Sequence, residues 1–516
     1  MTNPAAAMRM LITYAVVIPI AVVVGYLLTN PLDYGTLGFI GLIFAVLISP
    51  LLIRWHYPFL VFGLGCPMVC FFLVGKPPLM QVVVIIGLLI AVTERILNSE
   101  KRFISVPAMT WPLLFIVAMG YMTAELNGGI QLHATGGDEG GGRKYITLFV
   151  GVATYFALVS QKIPRERHKL YLMLYFLPSL LGTISDLFPY LPSPLNQINL
   201  LFPPTMIYDE GITLGRTRMV SLAFAVSTIM VYMLARYGLR GLLSAQRPWR
   251  ALLFIFAFTV SLLGGFRSAL GGMAIMLTLM FFMEGLHRTR LLPAMLMAAV
   301  LGSTVLATCS NKLPFTFQRA MCFLPLQWDN DVLMDAQASS EWRFKIWAAT
   351  WPKVPQYLLL GKGYTITKED YEITSGTFLR FGPQIDASQD PLALSSDYHS
   401  GPLSTLMPFS IWGAIGIIWL MAATVFVLYR NYRYGDPGLQ TFNIFMLASS
   451  IVAIISFFFI FGGFNNDVGN FAKITGFSLA MNGGLGKPAA KPVSNPRIKP
   501  LPELPMSITT NGPLPI

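Results

Sequence analysis

The run PLSTLMPFSIWGAIGIIWLMAATVFVLY at residues 402–429 holds 28 consecutive positions without a charged side chain. About 20 apolar residues in a helix cross the hydrocarbon core of a bilayer, with every backbone group bonded inside the helix. The run therefore predicts a transmembrane helix. Similar runs recur along the chain, so we expect an all-α polytopic membrane protein with about 14 (12–14) transmembrane helices. The predicted spans are 11–28, 36–53, 58–75, 79–96, 107–124, 145–160, 170–187, 219–236, 251–265, 268–285, 291–308, 402–429, 441–462 and 470–484.

The overall composition agrees with a membrane protein. Hydrophobic residues make up 54% of the 516 positions and charged residues only 12%, whereas a soluble domain carries about a quarter charged residues. Five histidines and four cysteines argue against a metal-rich or disulfide-dense scaffold. The first run follows Arg9 without a small-residue cleavage site, which predicts a retained span and not a removed signal peptide.

The net charge of +12 is explained by topology and does not indicate nucleic-acid binding. If the N-terminus is cytoplasmic and the spans alternate, the cytoplasmic segments hold 21 of the 36 Lys and Arg residues but only 6 of the 24 acids. This bias is what the positive-inside rule predicts. With an even number of spans, both the N- and C-termini are expected in the cytoplasm.

The spans divide the chain into four predicted regions. These are spans 1–11 in residues 1–308 with outer loops 125–144 and 188–218, a large outer loop 309–401, C-terminal spans in 402–484, and a disordered Pro-rich cytoplasmic tail 485–516. Short apolar runs with polar neighbours in the large loop predict short amphipathic helices.

One amphipathic helix is predicted at SSEWRFKIW, with an N-cap at Ser339–Ser340. Arg343 and Trp347 are four residues apart and would share a face. Trp342, Trp347 and Trp351 suit a helix at the level of the lipid headgroups.

Cys309 and Cys322 fall in the same outer loop. In an oxidising compartment they can form a disulfide, and two free, partly buried thiols are the alternative. Cys66 and Cys70 lie in an apolar run and are expected to be packing residues.

Arginines on the outer side are the first chemical signal. Arg216 and Arg218 precede a span, Arg267 lies in the turn GGFRSALGG between two spans, and Arg343 lies on the amphipathic helix. A charge beside lipid needs a partner, and a guanidinium binds phosphate or diphosphate through two parallel hydrogen bonds. Snorkelling to ordinary lipid phosphates or pairing with a loop acid is the alternative for each arginine.

His399, in SSDYHSGP before the 402–429 span, is the second signal. A histidine there can take a proton from a sugar hydroxyl near neutral pH. It can equally bind a phosphate, or be a loop histidine without a role. The span interiors look nearly free of charge, since Asp186 and Glu284 lie close to span ends, and this disfavours a transporter or flippase of lipid-linked sugars.

The order of GGFRSALGG, a large outer loop with WRFKIW and LLLGKGY, and a histidine before a span with GAIG resembles the O-antigen ligase and O-antigen polymerase superfamily. The resemblance covers about residues 210–425 and implies that Arg267, Arg343 and His399 are catalytic and that Arg218, or Arg216, joins Arg267 and Arg343 in binding diphosphate. Ser400 differs from the Asn that many relatives have after the histidine, and the Pro-rich tail is unusual; these departures leave the acceptor open.

The resemblance implies a multi-pass enzyme of the bacterial cytoplasmic (inner) membrane. It implies a glycosyltransferase with an undecaprenyl-diphosphate-linked glycan as donor, a glycan or lipid A core as acceptor, the bilayer and other polysaccharide-assembly proteins as partners, and no cofactor. Polymerisation of O-antigen or exopolysaccharide, O-antigen ligation and protein O-oligosaccharyltransferase activity stay open, and a non-catalytic assembly subunit is a further hypothesis.

Metal independence is the first testable prediction. The diphosphate is already a good leaving group that arginines can stabilise, and the one candidate metal ligand in the first outer loop, Asp33, stands alone. We expect the purified enzyme to keep its rate of glycan transfer in excess EDTA. Loss of turnover that magnesium or manganese restores would contradict a metal-free mechanism.

Overall fold

The structure is a computed structural model. It describes residues 13–26 (except 16, 20 and 24), 34–73, 75–130, 141–187, 192–203, 219–364, 396 and 398–488. Within these ranges it is helical and contains no β-strand, apart from an isolated antiparallel bridge between Val69 and Pro78. The predicted all-α class is therefore confirmed.

The α-helices of residues 34–488 are numbered here in chain order. They are α1 Tyr34–Gly65, α2 Leu79–Leu97, α3 Pro107–Leu126, α4 Gly142–Leu158, α5 His168–Phe176, α6 Thr183–Leu187, α7 Val220–Leu242, α8 Trp249–Ser261, α9 Arg267–Met283, α10 Leu291–Cys309, α11 Phe315–Met321, α12 Asn330–Thr350, α13 Val354–Tyr357, α14 Gly401–Tyr434, α15 Gln440–Phe459 and α16 Phe464–Asn482.

Seven helical segments among the described residues are long and apolar enough to cross a membrane. They are α2, α3, the segment Arg165–Leu187, α7, the segment Leu291–Lys312, α14 and the segment Pro437–Phe459. Shorter apolar helices include Thr13–Val23, Trp249–Gly264 and Arg267–Met283. The polytopic class is confirmed, and the count of about 14 spans stays a prediction.

Helix α1 differs from the predicted pair of spans at 36–53 and 58–75. It runs without interruption through Arg54, and Pro50 and Pro58 lie inside it. A proline removes one backbone hydrogen bond but does not have to end a helix when its neighbours remain helical. The helix ends at Gly65, and residues 66–73 and 75–78 return the chain to α2 through the Val69–Pro78 bridge.

Helix α16 also differs from its predicted span, 470–484, because it begins at Phe464. The backbone N–H of Gly463 donates to Asp467 Oδ2 at 2.9 Å. A carboxylate in the first turn that reaches back to the N-cap stabilises a helix start. The polar residues of FNNDVGN lower the local hydropathy, but they belong to the helix. Because the helix begins at Phe464, Lys473 lies in its middle.

The centre of the bundle depends on a close approach of α4 and α16. A Cβ added at Gly151 would lie 3.1 Å from Gly469 Cα, so the two backbones meet where neither has a side chain. One and two turns further on, Tyr155 and Leu158 of α4 approach Gly476 of α16. Small residues allow such contact between helices in a membrane, where dispersion forces replace the hydrophobic effect.

Helix α14 is broken at Ser410, whose φ of 61° is left-handed. The segment Leu358–Gly363 of the large loop bonds to the broken turn. Lys362 N donates to Met407 O at 2.9 Å, Gly363 N donates to Pro408 O at 3.0 Å, and Ile411 N donates to Leu358 O at 3.0 Å. The backbone groups that the break releases are thereby satisfied, as groups at membrane depth must be, and the loop is attached to the bundle.

The α4–α16 contact gives a stability prediction. Gly151→Val inserts a branched side chain against the Gly469 backbone, and overpacking of this kind costs about 1–3 kcal/mol. We expect a lower midpoint of thermal unfolding for the protein in detergent. Gly302→Val is the matched control, because no atom lies within 4 Å of a Cβ added there. Equal midpoints for both variants would contradict this packing.

Candidate active site

Arg267 stands at the start of α9, directly after a tight turn. The turn ends at Gly265, whose φ of 64° lies in the left-handed region that glycine adopts without strain. Arg267 Nη2 donates to Ala336 O at 3.1 Å and to Ser340 Oγ at 3.3 Å. The turn between α8 and α9 is therefore bonded to α12.

Arg319, on α11, connects the same two segments from the other side. Its side chain is buried, its Nη1 donates to Gly265 O at 2.9 Å, and its Nε pairs with Asp335 Oδ2 on α12. Bonds from Arg to a carboxylate are charge-assisted and directional. Arg319 thus fixes the turn that precedes Arg267 against the helix that carries Arg343.

Arg343 lies on α12, two turns beyond Asp335, and faces the other two arginines. Its Nε is buried and has no hydrogen-bond partner among the described residues. Burial lowers the pKa of Arg343, and the positive charges of Arg267 and Arg319 lower it further. Three guanidinium groups within electrostatic reach of one another make a strongly positive region that favours an anion.

His399 borders this positive region. Burial and then the charge of Arg343 lower the pKa of its imidazole to about 4, so the ring is neutral near pH 7. Its φ of 50° is left-handed, which is uncommon for a residue with a side chain. The ring packs edge-on against Phe461, with 4.8 Å between centroids.

The neighbouring residue, Tyr398, ties the His399 segment to α12 and α14. Trp347 Nε1 donates to Tyr398 O at 2.8 Å, and Tyr398 N donates to Ser404 Oγ at 3.1 Å. Arg343 and Trp347 therefore both turn toward the His399 segment, as their spacing on one helix face predicts. The side chain of Trp342 lies outside the description, and Trp351 is exposed.

The structure brings Arg267, Arg343 and His399 together, and their roles stay predictions. Arg216 and Arg218, predicted to bind diphosphate, lie outside the described residues, as does Asp33.

The comparison with protein families covers this region. Residues 251–418, about a third of the chain, match the family model described as O-antigen ligase. This segment is similar to the O-antigen ligase family. No curated protein and no solved structure matches the chain. The match confirms the superfamily resemblance and indicates a glycan-transferring enzyme of the bacterial inner membrane, with a lipid-linked glycan and an acceptor as substrates.

The sequence did not predict a role for two residues of the O-antigen ligase segment, Arg319 and Asp335. The predicted N-cap at Ser339–Ser340 was wrong, because α12 begins at Asn330. Gln318 Nε2 donates to Asp329 Oδ2 at 2.8 Å and fixes the chain just before that start. Continuing the four-residue spacing of Trp347 and Arg343 back through Ser339 leads to Asp335, and this is the signal that could have found Asp335.

The cysteines and possible metal ligands of the O-antigen ligase segment give no further site. The structure holds Cys309 and Cys322 as free thiols, and Cys322 Sγ donates to Arg319 O at 3.3 Å. The disulfide between them is not formed here and stays a prediction. Among the described residues no three His, Cys, Asp or Glu side chains come together as a metal site requires, which leaves metal independence to the chelator experiment.

The Arg319–Asp335 pair gives a prediction for stability. Asp335→Asn removes the carboxylate that pairs with Arg319 and leaves Arg319 buried without its charged partner. Breaking a buried pair costs about 3–5 kcal/mol, and we expect about 1–3 kcal/mol because the Asp335 side chain is 34% exposed.

The measurement is the midpoint of thermal unfolding in detergent. Asp331→Asn is the matched control, because Asp331 is exposed in the first turn of the same helix. An unchanged midpoint for Asp335→Asn would show that the pair does not hold α12.

Proposed function

We propose that the protein polymerises or transfers undecaprenyl-diphosphate-linked glycan at the periplasmic face, by a metal-independent reaction that inverts the anomeric carbon. The observation that supports this function is the positive region of Arg267, Arg319 and Arg343 beside a neutral His399. The positive region can bind a diphosphate ester, and the neutral imidazole can accept the proton of a sugar hydroxyl.

The arginines suit the donor. A diphosphate diester carries two negative charges, and the described region offers three guanidinium groups of which one is already paired with Asp335. Among the described residues, Arg267 bonds through Nη2 and Arg343 Nε has no hydrogen-bond partner. Donors of this kind stabilise the charge that develops on the leaving group.

His399 suits the acceptor. In the proposed step the oxygen of an acceptor hydroxyl attacks the anomeric carbon as the bond from that carbon to the diphosphate oxygen breaks. The bonding electrons go to the diphosphate, whose negative charge the arginines stabilise, and the hydroxyl proton goes to His399. A neutral imidazole can accept that proton, whereas an imidazolium cannot.

Polymerase and ligase share this chemical step and differ in the acceptor. We propose the polymerase, in which a second lipid-linked repeat unit supplies the hydroxyl. Ligation is the second candidate, since the family description of residues 251–418 names it, and it uses lipid A core as acceptor.

The function is tested by the profile of lipid-linked glycans in a deletion strain. We expect single repeat units to accumulate on the carrier lipid and wild-type protein to restore long chains. Accumulation of finished long glycan on the carrier would instead identify a ligase. A profile identical to that of the parent strain would contradict both.

Substitutions in the same strain test the roles of individual residues. His399→Ala should lower the transfer rate by about 10²–10⁴-fold because a general base contributes that much. Arg343→Lys should also fail to restore long chains, because lysine keeps the charge but loses the planar two-bond geometry.

Lys345→Arg is the matched control on the same helix, where an exposed Lys345 lies 3.8 Å from Glu341. Full rescue by Arg343→Lys at equal protein level would exclude bidentate binding at Arg343.

The pH dependence gives a further prediction. His399 loses its ability to accept a proton as the pH falls through its lowered pKa of about 4. The acid limb of kcat/KM, which reports the free enzyme, should therefore lie near pH 4 and not near 6.5. Arg343→Met removes a positive neighbour and should move that limb to higher pH. A wild-type limb near 6.5 would show that His399 is not the base.

A further inference from the structure

A second polar site lies inside the helix bundle, and none of the arginines described above lines it. It is a cavity of about 260 Å³ between the end of α1 and helices α5, α7, α15 and α16. Apolar side chains form much of its wall, and polar groups are gathered within it. The lining residues that matter below are Leu64, Phe176, Phe445, Ser449, Asn470 and Lys473.

Lys473 is the unusual member. It stands at the midpoint of α16, with nine residues of the helix on each side. Its Nζ lies 5.9 Å from the centroid of the Tyr175 ring, and no carboxylate occurs among the described residues that line the cavity. A cation inside the helix bundle of a membrane protein is costly unless it has a partner, and such residues are functional more often than structural.

Two other groups in the cavity can donate hydrogen bonds to the same ligand. Asn470 lies three residues before Lys473 and therefore on the same face of α16, and Ser449 lines the cavity from α15. By contrast, the hydroxyl of Ser179 is already used, because it donates to Gly65 O at 2.8 Å. An ammonium, an amide and a hydroxyl form a donor set that suits an oxyanion.

The apolar part of the cavity wall indicates what kind of molecule the anion belongs to. A free inorganic anion has no apolar part to place against Leu64, Phe176 and Phe445. A lipid with a phosphate headgroup does have one, since its chains pack against apolar walls while the phosphate meets the donors.

We propose that Lys473, with Asn470 and Ser449, binds the phosphate group of a lipid in this cavity. The site does not depend on the proposed glycan transfer. Its lipid can be a glycerophospholipid of the bilayer or a polyprenyl monophosphate, which both present anionic phosphate oxygens but carry different chains.

The test uses the full chain, delipidated in a maltoside detergent, and follows thermal stabilisation during lipid titration. The probes are dioleoylphosphatidylglycerol and undecaprenyl phosphate, and the uncharged controls are dioleoylglycerol and undecaprenol. We expect a phosphate lipid to raise the midpoint of unfolding and its uncharged analogue not to do so. Stabilisation by one phosphate lipid alone identifies which source the site takes, and stabilisation by both shows that the headgroup decides binding.

Variants assign the effect to the cavity. Lys473→Met keeps the length of the side chain without its charge and should weaken phosphate-lipid binding at least tenfold. Asn470→Leu keeps Lys473 and should weaken phosphate-lipid binding less than Lys473→Met does. This variant replaces Lys473→Met in the test if Lys473→Met does not fold. Lys169→Met, at an exposed lysine outside the cavity, is the matched control.

Two results would overturn the proposal. The first is equal stabilisation by a phosphate lipid and its uncharged analogue. The second is unchanged phosphate-lipid binding in folded Lys473→Met or Asn470→Leu protein.

Discussion

The buried side chain of Arg319 holds the active-site region together. It bonds at once to the carbonyl of Gly265, two residues before Arg267, and to Asp335 on the helix that carries Arg343. Without these bonds, three like charges would separate, because each gains free energy by moving into water. The positive region combines Arg319 and Arg267, which are bonded within the fold, with Arg343, whose buried Nε has no hydrogen-bond partner among the described residues.

A second constraint comes from the lipid environment, in which backbone groups have no water to bond with. Helix α14 breaks at Ser410, and the segment Leu358–Gly363 bonds to the groups that the break leaves. The same helix begins two residues after His399. The bonds at the break therefore attach the segment Leu358–Gly363 to the helix that follows His399.

The two polar sites of the bundle differ in what surrounds their charges. In the arginine region Asp335 offsets part of the positive charge, and burial and the charges of Arg267 and Arg319 lower the pKa of Arg343, which favours an anion of more than one charge. Around Lys473 a single ammonium meets an aromatic ring and neutral polar groups. A diphosphate suits the first environment and a lipid phosphate suits the second. Both proposed ligands are therefore phosphate groups carried by lipids.

The sequence by itself determined the class of protein, because charge-free runs long enough to cross a bilayer and an uneven distribution of basic residues are local properties of the chain. It also picked out Arg267, Arg343 and His399 as candidates, since an arginine in a turn or on an amphipathic helix beside lipid, or a histidine just before a span, is rare enough to stand out. Tertiary structure decided that α1 is continuous, that Arg319 joins two segments 70 residues apart, and that Lys473 lies in mid-helix. Hydropathy cannot supply these facts: a helix tolerates proline and polar turns when its neighbours satisfy them, and the value of a buried charge depends on partners distant in sequence.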